Sequence, residues 1–205
     1  MKPRNIIVII IFAVVVVTVM YTVYGSKDQT AYINQIKKER EEKDRFMRTS
    51  KESPFADNPE SFMGLKYYPA DLKWKVTAQL VPIENKKMVV LATNDGKEER
   101  YMEYAYAEFD FFGFRNRLLI LEVMAMGPSR GKLFLAFGDA TSADETYGAG
   151  RYLDVAKAQG ANTITLDFNK AYNPYCAYVD KFSCPLPPAE NLLTIPVQAG
   201  EKSYH

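Results

Sequence analysis

"KWKVTAQL", Lys73 to Leu80, reads with a period of two. Trp74, Val76, Ala78 and Leu80 alternate with Lys73, Lys75, Thr77 and Gln79. Successive side chains of a strand point to opposite faces, so this stretch predicts a strand with one wet face. The pattern continues in "KKMVVLAT" (86–93), "ERYMEYAYAEFDF" (99–111), "NRLLILEVMAM" (116–126), "GKLFLAFGD" (131–139) and "NTITLDF" (162–168). Asn94-Asp95-Gly96 is a tight-turn signal between two of these runs, and Gly127-Pro128 breaks the chain before another. "NLLTIPV" (191–197) is the last strand expected, with Pro196 placing it at an edge. Long helical patterns between the strands are missing, which argues against a parallel α/β sheet. The expected fold is mainly β: a single antiparallel sandwich or barrel-like domain.

Upstream the pattern differs. "IIVIIIFAVVVVTVMYTVY" (6–24) carries no charge. A helix rises 1.5 Å per residue, so this run reaches most of the way across a hydrocarbon core of about 30 Å. It is longer than the apolar region of a cleaved signal peptide, and Val23-Tyr24-Gly25 is a poor cleavage site. The sequence therefore predicts an N-terminal transmembrane helix that makes the membrane a partner through residues 6–24. Lys2 and Arg4 lie on its near side, while Lys27 alone lies close on the far side. That asymmetry points to a single-pass protein of the cell membrane with its globular domain outside the cytoplasm, periplasmic or extracellular. "AYINQIKKEREEKDRFMRTS" (31–50) has only a thin apolar seam of Ile33, Ile36, Phe46 and Met47, with opposite charges at helical spacing. It reads as a short, mostly solvated linker helix that ends before Pro54. The expected organisation is a membrane anchor over 1–26, the linker helix over 27–50 and the β-rich domain over 51–205.

Charge and histidine content narrow the function. The net charge is +1 with both signs interleaved, so a nucleic-acid partner has no electrostatic support. The only histidine is His205. A Ser-His-Asp triad, a Cys-His pair or a histidine-rich metal site would depend on that single ring. No metal and no cofactor is expected, and no phosphate-binding glycine loop is seen.

Two polar and aromatic clusters hold the specific chemistry: "FGDATSADETYGAGRYLDV" (137–155), and "DFNKAYNPYCAYVDKFSCPLPPAEN" (167–191) followed by "AGEKSY" (199–204). The order Asp139-x-Thr141, Thr146-Tyr147, Gly150-Arg151-Tyr152-Leu153, then "DFNKAYNPYCAY", "CPLPPAEN" and "AGEK" closely resembles the bacterial domain-of-unknown-function family 1684. The resemblance runs from about Asp44 to Tyr204 and takes in "SPF" (53–55) and "GLKYYP" (64–69). It implies relatives among uncharacterised envelope-associated or secreted proteins, and no activity. The chain departs from the family at Ala143, where the resemblance leads one to expect glycine and a positive-φ turn.

The residues themselves leave alternatives open. Asp139, Thr141, Thr146, Tyr147, Arg151 and Tyr152 suit a pocket for a small anionic or polyhydroxyl ligand, since Arg151 offers a planar fork of five donors and the tyrosines offer walls. Equally, Arg151 can pair with Asp139 or Asp167 inside the fold, as buried charges normally do. Asp167, Asn169, Tyr172 and Asn173 follow an apolar strand. They read either as ligand or acid–base groups or as loop-ordering hydrogen bonds. Glu190 and Asn191 are further ligand-binding candidates. Glu201 and Lys202 read as the solvated end of the domain or as pocket residues. Cys176 and Cys184 are disulfide partners in an oxidising compartment, with packing thiols or a redox role as the alternatives. Three functions follow: a domain binding a small polar or anionic ligand, an envelope structural or assembly protein, and a histidine- and metal-independent enzyme using Asp, Tyr and Arg. The balance leans away from the enzyme.

Overall fold

The alternation around Trp74 becomes strand β1, Lys75–Pro82, in a computed structural model that describes residues 28–156 and 160–205. Trp74 closes a short 3-10 turn whose Asp71 carboxylate accepts from the Lys73 amide, and it is buried beside Ala78. β2 (Met88–Ala92), β3 (Glu98–Phe111), β4 (Phe114–Val123), β5 (Leu133–Phe137), β6 (Arg151–Leu153) and β7 (Thr163–Asp167) complete one antiparallel sheet. Its order is β6-β5-β4-β3-β1-β7. β3 is long enough to serve two partners along one edge: β2 pairs with residues 98–102 and β1 with residues 105–108. The Asn94-Asp95-Gly96 signal is the β2–β3 turn, with the Gly96 amide bonded to Thr93 O.

Expectation and structure part at the closure of the sheet. A bulge between Glu103 and Ala105 bends β3, as an extra residue in one strand does. The sheet curls until Tyr172, just beyond β7, bridges Tyr152 of β6 through reciprocal amide–carbonyl bonds of 2.8 and 3.0 Å. The result is a half-barrel, neither the two-sheet sandwich nor the closed barrel read from the sequence. "NLLTIPV" is not a strand. Val197 O accepts from the Arg151 guanidinium at 2.9 Å, and Pro196 has no amide to give a ladder. β6, which the sequence did not signal, supplies Arg151 instead.

One core of Ala78, Ala107, Phe109, Leu118, Ile120, Phe137, Leu166 and Phe168 fills the concave side. A second, of Met47, Phe55, Phe62, Tyr178 and Tyr204, ties the "SPF" segment to the end of the chain.

The helix, α1, covers residues 28–49, and most of its residues are exposed or half-buried, but one face packs on the domain. Tyr32, Ile36 and Met47 are buried, and Arg40 and Lys43 lie on the same face at helical spacing. Burying Ile36 and Met47 is worth about 1.5–3 kcal/mol each. The expected membrane span over 6–24 lies outside the described residues. Among the described residues no helix is long and apolar enough to cross a membrane, so the transmembrane helix of the sequence reading finds no support in this fold.

Candidate functional site

The two polar clusters take different roles. Arg151 begins β6, is fully buried, and pairs with Asp139 at 2.8 Å. Its two terminal nitrogens also donate to the carbonyls of Val197 (2.9 Å), Ala199 and Glu201 (3.0 Å). Those carbonyls lie on a turning segment, in which the Ala199 amide bonds Val197 O at 2.8 Å and Gly200 bends the chain before Glu201, so one side chain gathers that segment onto β6. The second oxygen of Asp139 accepts from the Thr141 amide (2.8 Å), the Thr141 hydroxyl (2.6 Å) and the Val197 amide (3.1 Å). Thr141 and Thr146 share a bond of 2.9 Å between their hydroxyls. Ala143 closes the same turn at φ 67, so the positive φ expected of glycine is kept with a side chain in place. Of this group only Asp139 borders a groove, a shallow one beside Leu186, Pro187 and Leu192, and both of its oxygens are occupied. The ligand reading of Asp139, Thr141, Thr146 and Arg151 gives way to the fastening one.

Other expected site residues also fasten loops. Asn191 is fully buried and reaches Leu119 N (2.7 Å), Leu119 O (2.9 Å) and Ala136 O (2.8 Å), filling the gap where β4 and β5 diverge. Tyr152 donates to Pro185 O at 2.6 Å. Glu190 is exposed on the neighbouring turn. Asp167 lies under α1, accepting from the Tyr32 hydroxyl at 2.7 Å and from Asn169, while its second oxygen has no protein partner. Asn169 holds both the amide and the carbonyl of Asp71. Tyr147 lies 3.7 Å from the sulfur of Cys176, away from Arg151's partners. Cys176 and Cys184 are free thiols in contact with each other's segment.

The open site is elsewhere, between α1 and the loop that follows β7. A cleft of about 630 Å3 is lined by Glu39, Arg40 and Lys43 of α1, and by Tyr67, Asp154, Lys170, Tyr172, Tyr175 and Glu201. Its floor is Glu201, 1% exposed. One Glu201 oxygen meets the Lys43 ammonium at 2.7 Å and the Tyr67 hydroxyl at 3.5 Å. The other accepts from the Asn173 amide at 2.9 Å and from the Tyr178 hydroxyl. Gly200 sets this carboxylate in place: its φ is 74, and a Cβ there would come within 2.5 Å of Ala171 O. Only glycine permits both the conformation and the approach.

The walls are cations laid on tyrosine rings. Lys43 sits 4.4 Å over Tyr172, and Arg40 sits 4.4 Å over Tyr67. Arg40 also donates to Tyr68 O (2.8 Å) and Asn169 O (3.2 Å), leaving its buried Nε without a protein partner. At the rim Lys170 pairs with Glu39 at 2.8 Å, and the Tyr172 hydroxyl donates to Asp154 at 2.9 Å. Burial, reinforced by the Glu201 and Asp44 charges, pushes the Tyr67 phenol up. Burial and the Asp154 charge do the same to Tyr172, and burial raises Tyr175. These phenols stay protonated, and Tyr67 and Tyr172 act as donors, which suits binding and leaves no phenolate base.

Of the residues put forward from the sequence, Tyr172 and Asn169 line this cleft and the Asn173 amide bonds its floor, apart from Asp139 and Arg151 with which they were grouped. The sequence reading missed Lys43, Arg40 and Tyr67, and left Glu201 undecided. A signal existed: Arg40 and Lys43 interrupt an apolar face of α1 marked by Ile36 and Met47. Cations on a buried stripe need partners.

A family model described as "Protein of unknown function (DUF1684)" matches residues 60–202. The chain is similar to an uncharacterised protein from gene locus rrnAC0354 of Haloarcula marismortui, whose solution NMR structure is 37% identical with a TM-score of 0.65. That match covers 87% of this chain and 99% of the other. No curated protein matches.

Proposed function

Because this chain belongs to the family of proteins of unknown function DUF1684, its role has to come from its own geometry, and we propose that it is a binding module for a small polar ligand held in the cleft under α1. The observation that carries this reading is the buried Glu201 carboxylate at the floor of an open cleft walled by tyrosines. The lining holds three cations, Arg40, Lys43 and Lys170, and three carboxylates, Glu39, Asp154 and Glu201. Balanced charge favours a neutral polyhydroxyl or zwitterionic ligand over a strong polyanion. Tyrosine walls supply apolar faces with hydrogen-bonding edges, the usual composition of a small-molecule site. An acid–base enzyme is less well supported, since the phenols are held protonated and the floor carboxylate is already bonded to four groups.

A thermal-shift screen of monosaccharides, polyols, amino acids and dicarboxylates tests the reading. At least one class should raise the melting temperature of the wild type. Tyr172→Ala and Lys170→Ala should weaken that shift. A shift that survives both substitutions unchanged would place the ligand outside this cleft.

A further inference from the structure

The two cysteines are not accounted for by the cleft or by the Arg151 network. They lie eight residues apart on the long loop after β7. Cys176 sits in the short 3-10 turn Tyr175–Ala177, between Tyr175, which lines the cleft, and Tyr178, which donates to Glu201. Cys184 is pinned to the β2–β3 turn: its amide donates to Asn94 Oδ1 at 2.7 Å, and its carbonyl accepts from the Asn94 amide at 3.1 Å. The two meet where the Cys176 amide donates to the Cys184 sulfur at 3.2 Å. The Tyr147 hydroxyl reaches the Cys176 sulfur at 3.7 Å. Both cysteines are buried, while Lys181 and Ser183 on the same loop are exposed.

We propose that Cys176 and Cys184 form a thiol–disulfide exchange site, with Cys176 the attacking thiol, Cys184 the resolving thiol and a low-molecular-weight disulfide the co-substrate. Four donors converge on the Cys176 side. The Cys184 thiol and the Tyr147 hydroxyl face its sulfur, and backbone amides of the 3-10 turn support it. The neighbouring Cys184 thiol is the main cause that brings Cys176 down to about 7, against the opposing effect of burial. The same contact pushes Cys184 up, which keeps it protonated until it is needed. Tyr147 is raised to about 12 by burial and by Cys176, so it remains a donor. Thiolate character at neutral pH is what makes a cysteine the attacking partner.

The exchange balances. The Cys176 thiolate attacks one sulfur of the small disulfide, whose S–S bond breaks and releases one thiolate. A mixed disulfide remains on Cys176. The Cys184 thiol then gives its proton to the released thiolate and attacks the Cys176 sulfur. The mixed disulfide breaks and a second small thiolate leaves. Two protein thiols are oxidised and one small disulfide is reduced to two thiols. The new bond would tether the wall of the cleft to the β2–β3 turn.

The test uses the full chain in defined mixtures of oxidised and reduced glutathione, without any ligand of the cleft, so its outcome is separate from the binding reading. The expected result is a mass loss of two hydrogens, reversed by reduced glutathione. Brief iodoacetamide labelling of the reduced protein should modify Cys176 first, with a rate that rises through a midpoint near 7. Cys184→Ser should accumulate a glutathione adduct at Cys176. Wild-type protein that keeps both thiols free in excess oxidised glutathione overturns the proposal. So does first labelling at Cys184, a result that needs no variant to fold.

Discussion

The Arg151 network and the Glu201 cleft are built from the same materials, a buried charge surrounded by tyrosine, asparagine and backbone. They differ in what is left over. Around Arg151 and Asp139 nearly every polar atom is used by the protein, and the exception is the guanidinium Nε. Around Glu201 the charge is equally buried, but its partners Lys43 and Tyr67 line an opening. A buried charge shows that a residue needs partners; an adjoining cavity is what separates a site from a fastening.

Four measurements press on that difference. The largest effect is expected from Arg151→Met, which leaves Asp139 buried without its cation and frees three carbonyls. Breaking one side of such a pair costs about 3–5 kcal/mol. Chemical denaturation should show the loss, and a variant within about 1 kcal/mol of wild type would return Arg151 to the list of ligand candidates. Lys43→Met comes next. It removes one of four partners from Glu201, so stability should fall by about 1–3 kcal/mol, and any ligand response of the cleft should change with it. An unaltered ligand response would separate Lys43 from the site.

Smaller effects follow. Ala143 holds a left-handed conformation that costs a residue with a side chain roughly 1–2 kcal/mol, partly offset by the greater freedom of unfolded glycine. Ala143→Gly should therefore raise stability by up to about 1 kcal/mol; a loss would mean that the Cβ packs usefully against Gly148. The smallest concerns the rim of the cleft. Burial raises the Glu39 carboxyl, but bonds from Lys170 and Gln35 outweigh it, and Glu39 sits below its ordinary value. A depressed carboxyl contributes stability that is present above the unfolded value of about 4.3 and is lost as pH falls through the folded one. The pair is partly exposed, so the effect is modest. Denaturation midpoints in acid should drop less in Lys170→Ala than in wild type. Equal acid sensitivity would show that this pair does not hold α1 down.

Much of the strand content was legible because alternation is a local signal. β1, β3, β4, β5 and β7 lie where the pattern put them, and the turn at Asn94-Asp95-Gly96 joins β2 to β3. Three things were not legible. The half-barrel depends on a bulge and on one bridge between Tyr152 and Tyr172, neither of which has a period. "NLLTIPV" looks like a strand but is recruited by Arg151, a contact between residues 46 apart. The docking of α1 was hidden because its buried face carries Arg40 and Lys43, which read as solvated until their partners are known. At the site, Tyr172, Asn169 and Asn173 were legible as a polar cluster after a strand. Glu201 was not, since nothing near it says that the chain will bury it.

The position of Glu201 has a kinetic consequence. Its hydroxyl partner Tyr67 is 134 residues away along the chain, and Tyr32 of α1 is 135 residues from Asp167. Contacts so far apart in sequence form late and slowly in folding. During synthesis α1 emerges long before there is anything for Arg40 and Lys43 to meet. The cleft therefore comes into being only after residue 201 has left the ribosome, and any binding it performs reports that the whole domain has been made and folded.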